Sequence, residues 1–473
     1  MTKDRKSLFV TDDGTNLMFT FMLVSSLFLL WGLCNGMIDV MDKHFQDELQ
    51  LSKSQSAWVQ FAHYLGYFLM SMPAGWLASK LGYKAGIIAG LLLVALGGFW
   101  FIPATRINAL VHTGGVSSTT AFIAFLVGVC VIATGLTFLE TIANPYTTVL
   151  GDKRYAATRI NLAQSCNGIG WIFGPVIGSM FFYSKDAMGN STGSQTLYIP
   201  YAAIGVVVLV LAVVFYFANI PDIKAEDDYH LDDSSDSHSH SIWKHPHFAL
   251  AVVAQFLYVA AQAGIFSFFI NYMTAEVPAI PAAWDRGMTA FAGHAGWLQN
   301  WLLGWFELGP NGVLAISNKG ASNLASLGFV FFLAGRFSGA ALLKKYSAHR
   351  ILGLYGLLNV VMTFLVFCKL GWLSVACVFL SYFFMSIMFP TIFALGIFGL
   401  GARAKKASAF IVMAIMGGAL LPKVMGHVAD KFDMSRGFIV PMLCFVFVAF
   451  YGFNWPRFSK AESLNGLKVT AGH

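Results

Sequence analysis

Apolar runs of about 20 residues recur along the chain, separated by shorter polar connections. A helix of that length spans the hydrocarbon core of a bilayer. Twelve runs fall near 17–41, 57–79, 85–104, 120–148, 159–183, 198–219, 247–275, 320–343, 350–368, 372–397, 407–428 and 437–456. Inside lipid every backbone amide must find its partner within the protein, so these runs predict helices. The expected fold class is an all-α membrane protein of twelve transmembrane helices in two six-helix bundles. Two long polar stretches interrupt the rhythm. Residues 221–246, PDIKAEDDYHLDDSSDSHSHSIWKHP, are acidic and rich in Ser and His. Six runs precede them and six follow. The expected layout is an N-terminal bundle at 1–220, a linker at 221–246 and a C-terminal bundle at 247–473, with an insert at about 276–319.

Charge orients this arrangement. Nineteen of the 30 lysines and arginines lie in the tails and connections on the side of the N-terminus; ten lie on the opposite side, and Arg336 falls within a helix. Basic connections stay in the cytoplasm, so both termini are expected there. The +7 net charge is therefore first a topology signal, and its dispersal argues against a nucleic-acid partner. Composition agrees with a membrane protein: 57% hydrophobic, 11% charged, mean hydropathy +0.66. The six cysteines all fall in apolar runs and are expected to be free thiols. The start, MTKDRKSLFVTDDGTN, lacks the apolar core of a signal peptide, so the first helix is expected to remain in the mature protein. The four histidines at 238, 240, 245 and 247 sit in a stretch whose composition predicts a solvated linker. In the insert, Trp297, Trp301 and Trp305 fall at i, i+4 and i+8. That spacing predicts an amphipathic helix with its Trp face at the lipid headgroups, with a lid over the outer mouth as the alternative.

The halves echo one another. Gly75, Lys80 and Ile87 match Gly339, Lys344 and Ile351 in spacing, and Pro145 and Gly151 match Pro390 and Gly396. Weak internal symmetry of two six-helix halves is the sequence sign of a secondary carrier.

Within the apolar runs, a few polar residues carry the candidate chemistry. Glu140 is the only charged side chain in residues 121–150, and Asn144-Pro145 follows it. A carboxylate at that depth is costly and normally faces water or substrate. Asp39 lies toward the far end of the first run, with Asn35 one turn before it; Asp42, Lys43 and His44 follow and are expected at the interface. The fifth run carries Asn161, Gln164, Ser165 and Asn167 at helical spacing. These amides serve either as glue between helices or as donors and acceptors for a hydroxyl-rich substrate. The seventh run carries Gln255, Tyr258, Gln262 and Asn271. His63 is a lone histidine in the second run, whose bland reading is a hydrogen-bonded core residue; Arg336 is a lone cation, free to snorkel or to counter a carboxylate. No HExxH, GxSxG or Walker A sequence is present, so an enzyme is not expected.

Five blocks carry a resemblance. They are WGLCNGMIDVMDKHF, QFAHYLGYFLMSMPAGWLASKLGYKAGIIAGL, LETIANPYTTVLGDKRYAATRINLAQSCNGIGWIFGP, FLYVAAQAGIFSFFI and FMSIMFPTIFALGIFGLGARAKKASAFIVMAIMGGALLPKVMG. They resemble the fucose–galactose–glucose:proton symporter family of the major facilitator superfamily, from about residue 28 to 430. The resemblance implies import of a monosaccharide with a proton by alternating access, in a bacterial inner membrane. It implies Asp39 and Glu140 as proton-coupling acids, and Gln164, Asn167 and Gln262 as sugar ligands. Asn35, Asn144, His63 and Phe389 join them as candidate lining residues, and Trp31 or Phe389 would pack on the apolar sugar face. Phe389 stands where that family carries a tyrosine, His63 where an aromatic is usual, Asn271 where a basic residue occurs, and Ser79 where the loop motif carries an acid. No cofactor is implied, the coupling ion being a proton. Sodium coupling and uniport stay open, because a carboxylate binds either cation. A sugar sensor would need a signalling domain, which the linker and short tails do not supply. The partners expected are the sugar and membrane lipid, with a monomer sufficient.

Overall fold

The computed structural model describes residues 9–10, 15–111, 114–151, 156–184, 192–220, 242–296, 299–309, 312–343, 346–398, 400 and 404–459. Twelve long helical segments occur among them. α1 is Met18–Leu49. The helix Trp58–Ala109 breaks at Gly82 into α2, residues 58–81, and α3, residues 83–109. α4 is Ser118–Val149, α5 is Ala156–Phe182 and α6 is Tyr198–Phe217. α7 is Pro246–Ser267, continued after a step at Phe268 by Phe269–Ala275. α8 is Asn318–Leu343 and α9 is Ala348–Phe367. α10 runs Trp372–Ile397, with a break between Met385 and Met388. α11 joins Ala404–Met413 to Gly417–Lys431 through a tight turn, and α12 is Ile439–Ser459.

Local chemistry sets several of these boundaries. α1 ends at Gln50 in the left-handed region, φ 54°. The single turn before α2 is opened by a reciprocal cap: Ser52 Oγ accepts from the Gln55 amide at 3.1 Å, and Gln55 Oε1 accepts from the Ser52 amide at 2.9 Å. Gly82, at φ 80°, makes the reversal between α2 and α3, a backbone that side-chained residues rarely adopt. Among the described residues, ten helices are long and apolar enough, by length and composition, to cross a membrane. α2 and α5 fall short of that apolarity because they carry the polar residues of the second and fifth runs.

α1 extends eight residues beyond the expected end at 41 and is about 48 Å long at 1.5 Å per residue. Asp42 and His44, expected at the interface, have side chains buried inside the protein. The Trp-rich insert also differs from expectation. Its described parts are a helix at Ala282–Ala292, one turn at Gln299–Leu302 and a hairpin pairing Phe306–Leu308 with Leu314–Ile316. Trp297 lies outside the described residues. Trp301 and Trp305 do not form one lipid-facing stripe. Trp301 donates to Asn323 Oδ1 at 2.9 Å, which turns its indole onto the start of α8, and Trp305 donates to the carbonyl of Trp301 at 2.9 Å. Arg336 meets no carboxylate among the described residues. Its Nε faces the Ser386 carbonyl at 3.4 Å, where α10 breaks, and its guanidinium lies 4.9 Å from the Phe332 ring centre. Most of the linker, 221–241, Lys344 and the side chains of Ser79 and Asn161 lie outside the described residues. Among those described, the cysteines are free; Cys368 is exposed rather than buried in an apolar run.

In the first half, α1 packs on α5 and α4, and α3 and α2 on α4 and α6. In the second half, α9 packs on α12 and α10, and α7 on α12, α11 and α10. The halves meet along α5 against α8, α2 against α11 and α1 against α7. Far from the chain termini, at what we term the distal end, polar side chains tie the halves together. Asp42 accepts from Ser267 Oγ. Gln46 and Asn271 exchange amide hydrogen bonds at 2.5 and 3.3 Å. Asp430 accepts from the amides of Lys53 and Ser54 at 3.0 and 2.8 Å. Asn323 accepts from Ser179 at 2.8 Å, joining α8 to α5.

Candidate functional site

The α1–α5 contact is close because glycines line it. A Cβ on Gly32 would stand 2.1 Å from the Asn167 carbonyl oxygen and 2.6 Å from Asn167 Oδ1. Gly170 faces Leu29 as closely. This approach sets the polar face of α5 against α1 and beside α4.

Four of the sequence-derived residues form one chain of amides there. Asn167 donates to Gln164 Oε1 at 3.1 Å. Gln164 donates to Asn144 Oδ1 at 3.0 Å. Asn144 donates to the backbone carbonyl of Glu140 at 3.1 Å. Asn167 is buried and its Oδ1 has no partner among the described residues, while Gln164 and Asn144 are half-buried. The chain thus ends in an unused acceptor, which a ligand hydroxyl would satisfy.

Glu140 is half-buried at the edge of a shallow crevice between α1 and α4, lined also by Leu27, Phe28, Trp31, Leu139 and Ala143. The Tyr67 phenol of α2 lies beside its carboxyl. The same phenol accepts from Trp31 Nε1 at 2.5 Å and lies beside the Asn35 amide. Asn35 is buried and its Oδ1 is also without a partner. Tyr67 therefore joins α1, α2 and α4 at one point. His63, one turn away, is buried between Tyr64 and Tyr67, with ring centres 5.0 Å from each, and its Nδ1 has no partner. Among the described residues its Nδ1 lacks the hydrogen bond that the bland reading expects.

Asp39 is not part of this cluster. Its Oδ1 accepts from Gln60 Nε2 of α2 at 2.9 Å, and its Oδ2 is buried without a partner. The same Gln60 nitrogen lies 3.4 Å from Asp42 Oδ2. Tyr64 stands between the two acidic centres, within electrostatic reach of Asp39, Asp42 and Glu140. It also packs against Gly418 of α11, where a Cβ would come within 2.4 Å of its ring.

The second half supplies less. Gln262 is half-buried and makes no hydrogen bond among the described residues. One turn beyond it, Phe266 meets Trp171 of α5 at 5.6 Å. Phe389 is half-buried and touches Tyr258, ring centres 6.5 Å apart; Tyr258 donates to the Met385 carbonyl at 3.0 Å. Gln255 is fully buried with both amide atoms unpartnered. Sequence reasoning missed Tyr67, Tyr64, Gln60, Asp42 and Ser267. The tyrosines sit at i and i+3 on α2, next to His63, a spacing that marks one helix face.

The family model of the Major Facilitator Superfamily matches residues 16–394. The chain is 34% identical to the L-fucose-proton symporter of Escherichia coli (strain K12), over 94% of each protein. It is 29% identical to a glucose/galactose transporter of Brucella abortus biovar 1 (strain 9-941), over 93% of the chain and 95% of that protein. Among solved structures it matches the E. coli fucose:proton symporter at 32% identity, with TM-score 0.61 and 93% and 98% of the two chains covered. A D-xylose-proton symporter, 12% identical, matches with TM-score 0.65 over 92% and 97% and shares the fold.

Proposed function

Because the chain belongs to the Major Facilitator Superfamily, and within it to the fucose–galactose–glucose:proton symporters, we propose that it imports a monosaccharide of that group together with a proton. It is a membrane transporter and not an enzyme. Relatives carrying L-fucose or glucose and galactose set the substrate class. The observation that carries the reading is the joined arrangement around Glu140. A titratable carboxyl beside the Tyr67 phenol shares its helix turn with an amide chain whose far end has a free acceptor among the described residues.

In this reading the amides of Gln164, Asn167 and Asn144 bind sugar hydroxyls, and Trp31 packs on the apolar face of the ring. Asn35 offers a second free acceptor nearby. Sugar that takes hydrogen bonds from Gln164 or Asn144 alters the contact to the Glu140 carbonyl, and so the setting of its carboxyl. Gln262, Phe389 and His63 belong to the walls that approach the sugar when the halves close on it. Glu140 and Asp39 take up protons. The halves then rock about the bound sugar, exposing it to one side and then to the other. The excess of basic residues on the side of the termini supports a cytoplasmic location for both. The inner membrane of a bacterium follows from the organisms of the relatives. A monomer contains both halves and is the functional unit.

The test is uptake of radiolabelled L-fucose, galactose and glucose into proteoliposomes under an imposed pH or sodium gradient. Accumulation driven by an inward proton gradient and inhibited by one of these sugars is expected. Accumulation that follows only sodium, or no accumulation above equilibration, would overturn proton coupling.

A further inference from the structure

Asp42 is the most deeply buried acid among the described residues, at 0% exposure, and transport by Glu140 and Asp39 makes no use of it. It lies three residues after Asp39, on the same face of α1. One amide nitrogen, Gln60 Nε2, serves both carboxylates, at 2.9 Å from Asp39 Oδ1 and 3.4 Å from Asp42 Oδ2. Asp39 Oδ2 and Asp42 Oδ1 are buried without partners. Gln60 is itself 2% exposed. Among the described residues neither carboxylate has a cationic partner. Lys43 turns away to Asp47 at 2.7 Å, and His44 faces Asp47 and Glu48. The titratable groups within electrostatic reach of one or both carboxylates are the phenols of Tyr64 on α2, Tyr183 beyond α5, Tyr201 on α6 and Tyr382 on α10. On α4 the titratable group is Glu140, which lies toward Tyr67 and Tyr64. α7 contributes Ser267, which does not titrate in this range.

One neutral donor between two buried carboxylates stabilises the pair better with one shared proton than with two charges. The partner across the bundle boundary gives this pair a mechanical reading. Ser267 Oγ donates to Asp42 Oδ2, and one turn further out Gln46 pairs with Asn271. These are successive rungs, i and i+4 on α1 against i and i+4 on α7. Separating the distal ends removes Ser267 from Asp42 and admits water to both acids.

We propose that Asp42 completes with Asp39 a two-carboxyl proton site, and that closing the distal end requires this site to be occupied. This inference rests on the transport reading and extends it. Closure takes the pair from two negative charges to one by binding one proton, and re-exposure to water lets the proton go. Distal closure is therefore favoured at low pH and weakened at high pH. Asp42 is a positioning and proton-holding residue, with no contact to sugar.

The test is hydrogen–deuterium exchange of the full chain in lipid nanodiscs without sugar, at stepped pH and corrected for intrinsic exchange. The readout is protection of residues 42–50 and 267–275. In the wild type, protection should fall as pH rises. Asp42→Asn, fixed in the neutral form, should stay protected across the range. Ser267→Ala should keep the pH response but show about tenfold less protection at each pH. A wild-type profile independent of pH overturns the proposal, and so does Asp42→Asn with an unchanged profile. Should Asp42→Asn not fold, the wild-type and Ser267→Ala profiles decide: a Ser267→Ala protein with unaltered protection overturns it. The measurement needs neither sugar nor gradient. Failed uptake with an intact pH profile strikes the transport reading alone; working uptake with a flat profile strikes this inference alone.

Discussion

Gln164 donates its side-chain amide to Asn144 at 3.0 Å, tying α5 to α4 one turn from the Glu140 carboxyl. Asn144 passes the contact on to the carbonyl of Glu140 at 3.1 Å. Pro145 brings no N–H to this turn, so the helix has one backbone bond fewer to hold its shape here. Under the proposed function, a sugar-binding amide and a proton-binding carboxyl are thereby linked through one helical turn. The choice between amides as interhelical glue and amides as sugar ligands also changes. In this structure they bridge α5 and α4, and the Asn167 acceptor, unpartnered among the described residues, leaves room for the ligand role under the proposed function.

Glu140→Gln mimics the protonated acid. It should abolish uphill accumulation in proteoliposomes under a proton gradient while sugar exchange across equilibrated vesicles persists. Normal gradient-driven accumulation by this variant would assign coupling elsewhere.

Gln164→Ala and Asn144→Ala should each weaken sugar binding by about 1–3 kcal/mol, the cost of leaving a buried polar partner unpaired. Since the two side chains bond each other, the double variant should lose less than the sum of the singles, by at least about 0.5 kcal/mol. Calorimetric titration of the four proteins measures this. Additive losses would mean that the two amides act independently on the sugar.

Phe389→Tyr adds a hydroxyl beside Tyr258, and His63→Phe removes the unpartnered ring nitrogen between Tyr64 and Tyr67. A polar group matched to a substrate hydroxyl discriminates far more strongly than an apolar swap, which is worth about 1–3 kcal/mol. The double change should reorder competition among fucose, galactose, glucose and mannose and leave proton coupling intact. An unchanged order would place both side chains in packing only.

Gly32→Ala forces a methyl group against the Asn167 carbonyl, 2.1 Å from where its Cβ would sit. Overpacking of this kind costs about 1–3 kcal/mol. The variant should melt earlier and also lose sugar affinity, because α5 carries Asn167 and Gln164 away from Asn144 as it yields. Thermal unfolding and sugar titration on the same sample test the pair of effects; lost stability with full affinity would uncouple the helix contact from the site.

The spacing of apolar runs determined the helices, and the cost of a charge in lipid marked Glu140, because both follow from the solvent that each residue must enter. The polar stripe of α5 was legible for the same reason. The partners of those residues were not. Asp42 stands among polar neighbours, Lys43 and His44, and so looked interfacial, yet Ser267, 225 residues away, seals it inside the bundle contact. Tyr67 is an ordinary aromatic in an aromatic-rich helix until folding sets its hydroxyl against Glu140, Trp31 and Asn35. The tryptophans of the insert kept a helical spacing, but Asn323 drew the Trp301 indole inward to α8. A side chain's preference for lipid or water is carried by its own chemistry and can be read locally. Its hydrogen-bond partner is decided by which helices pack together, within one half for Tyr67 and Trp301 and between the halves for Asp42.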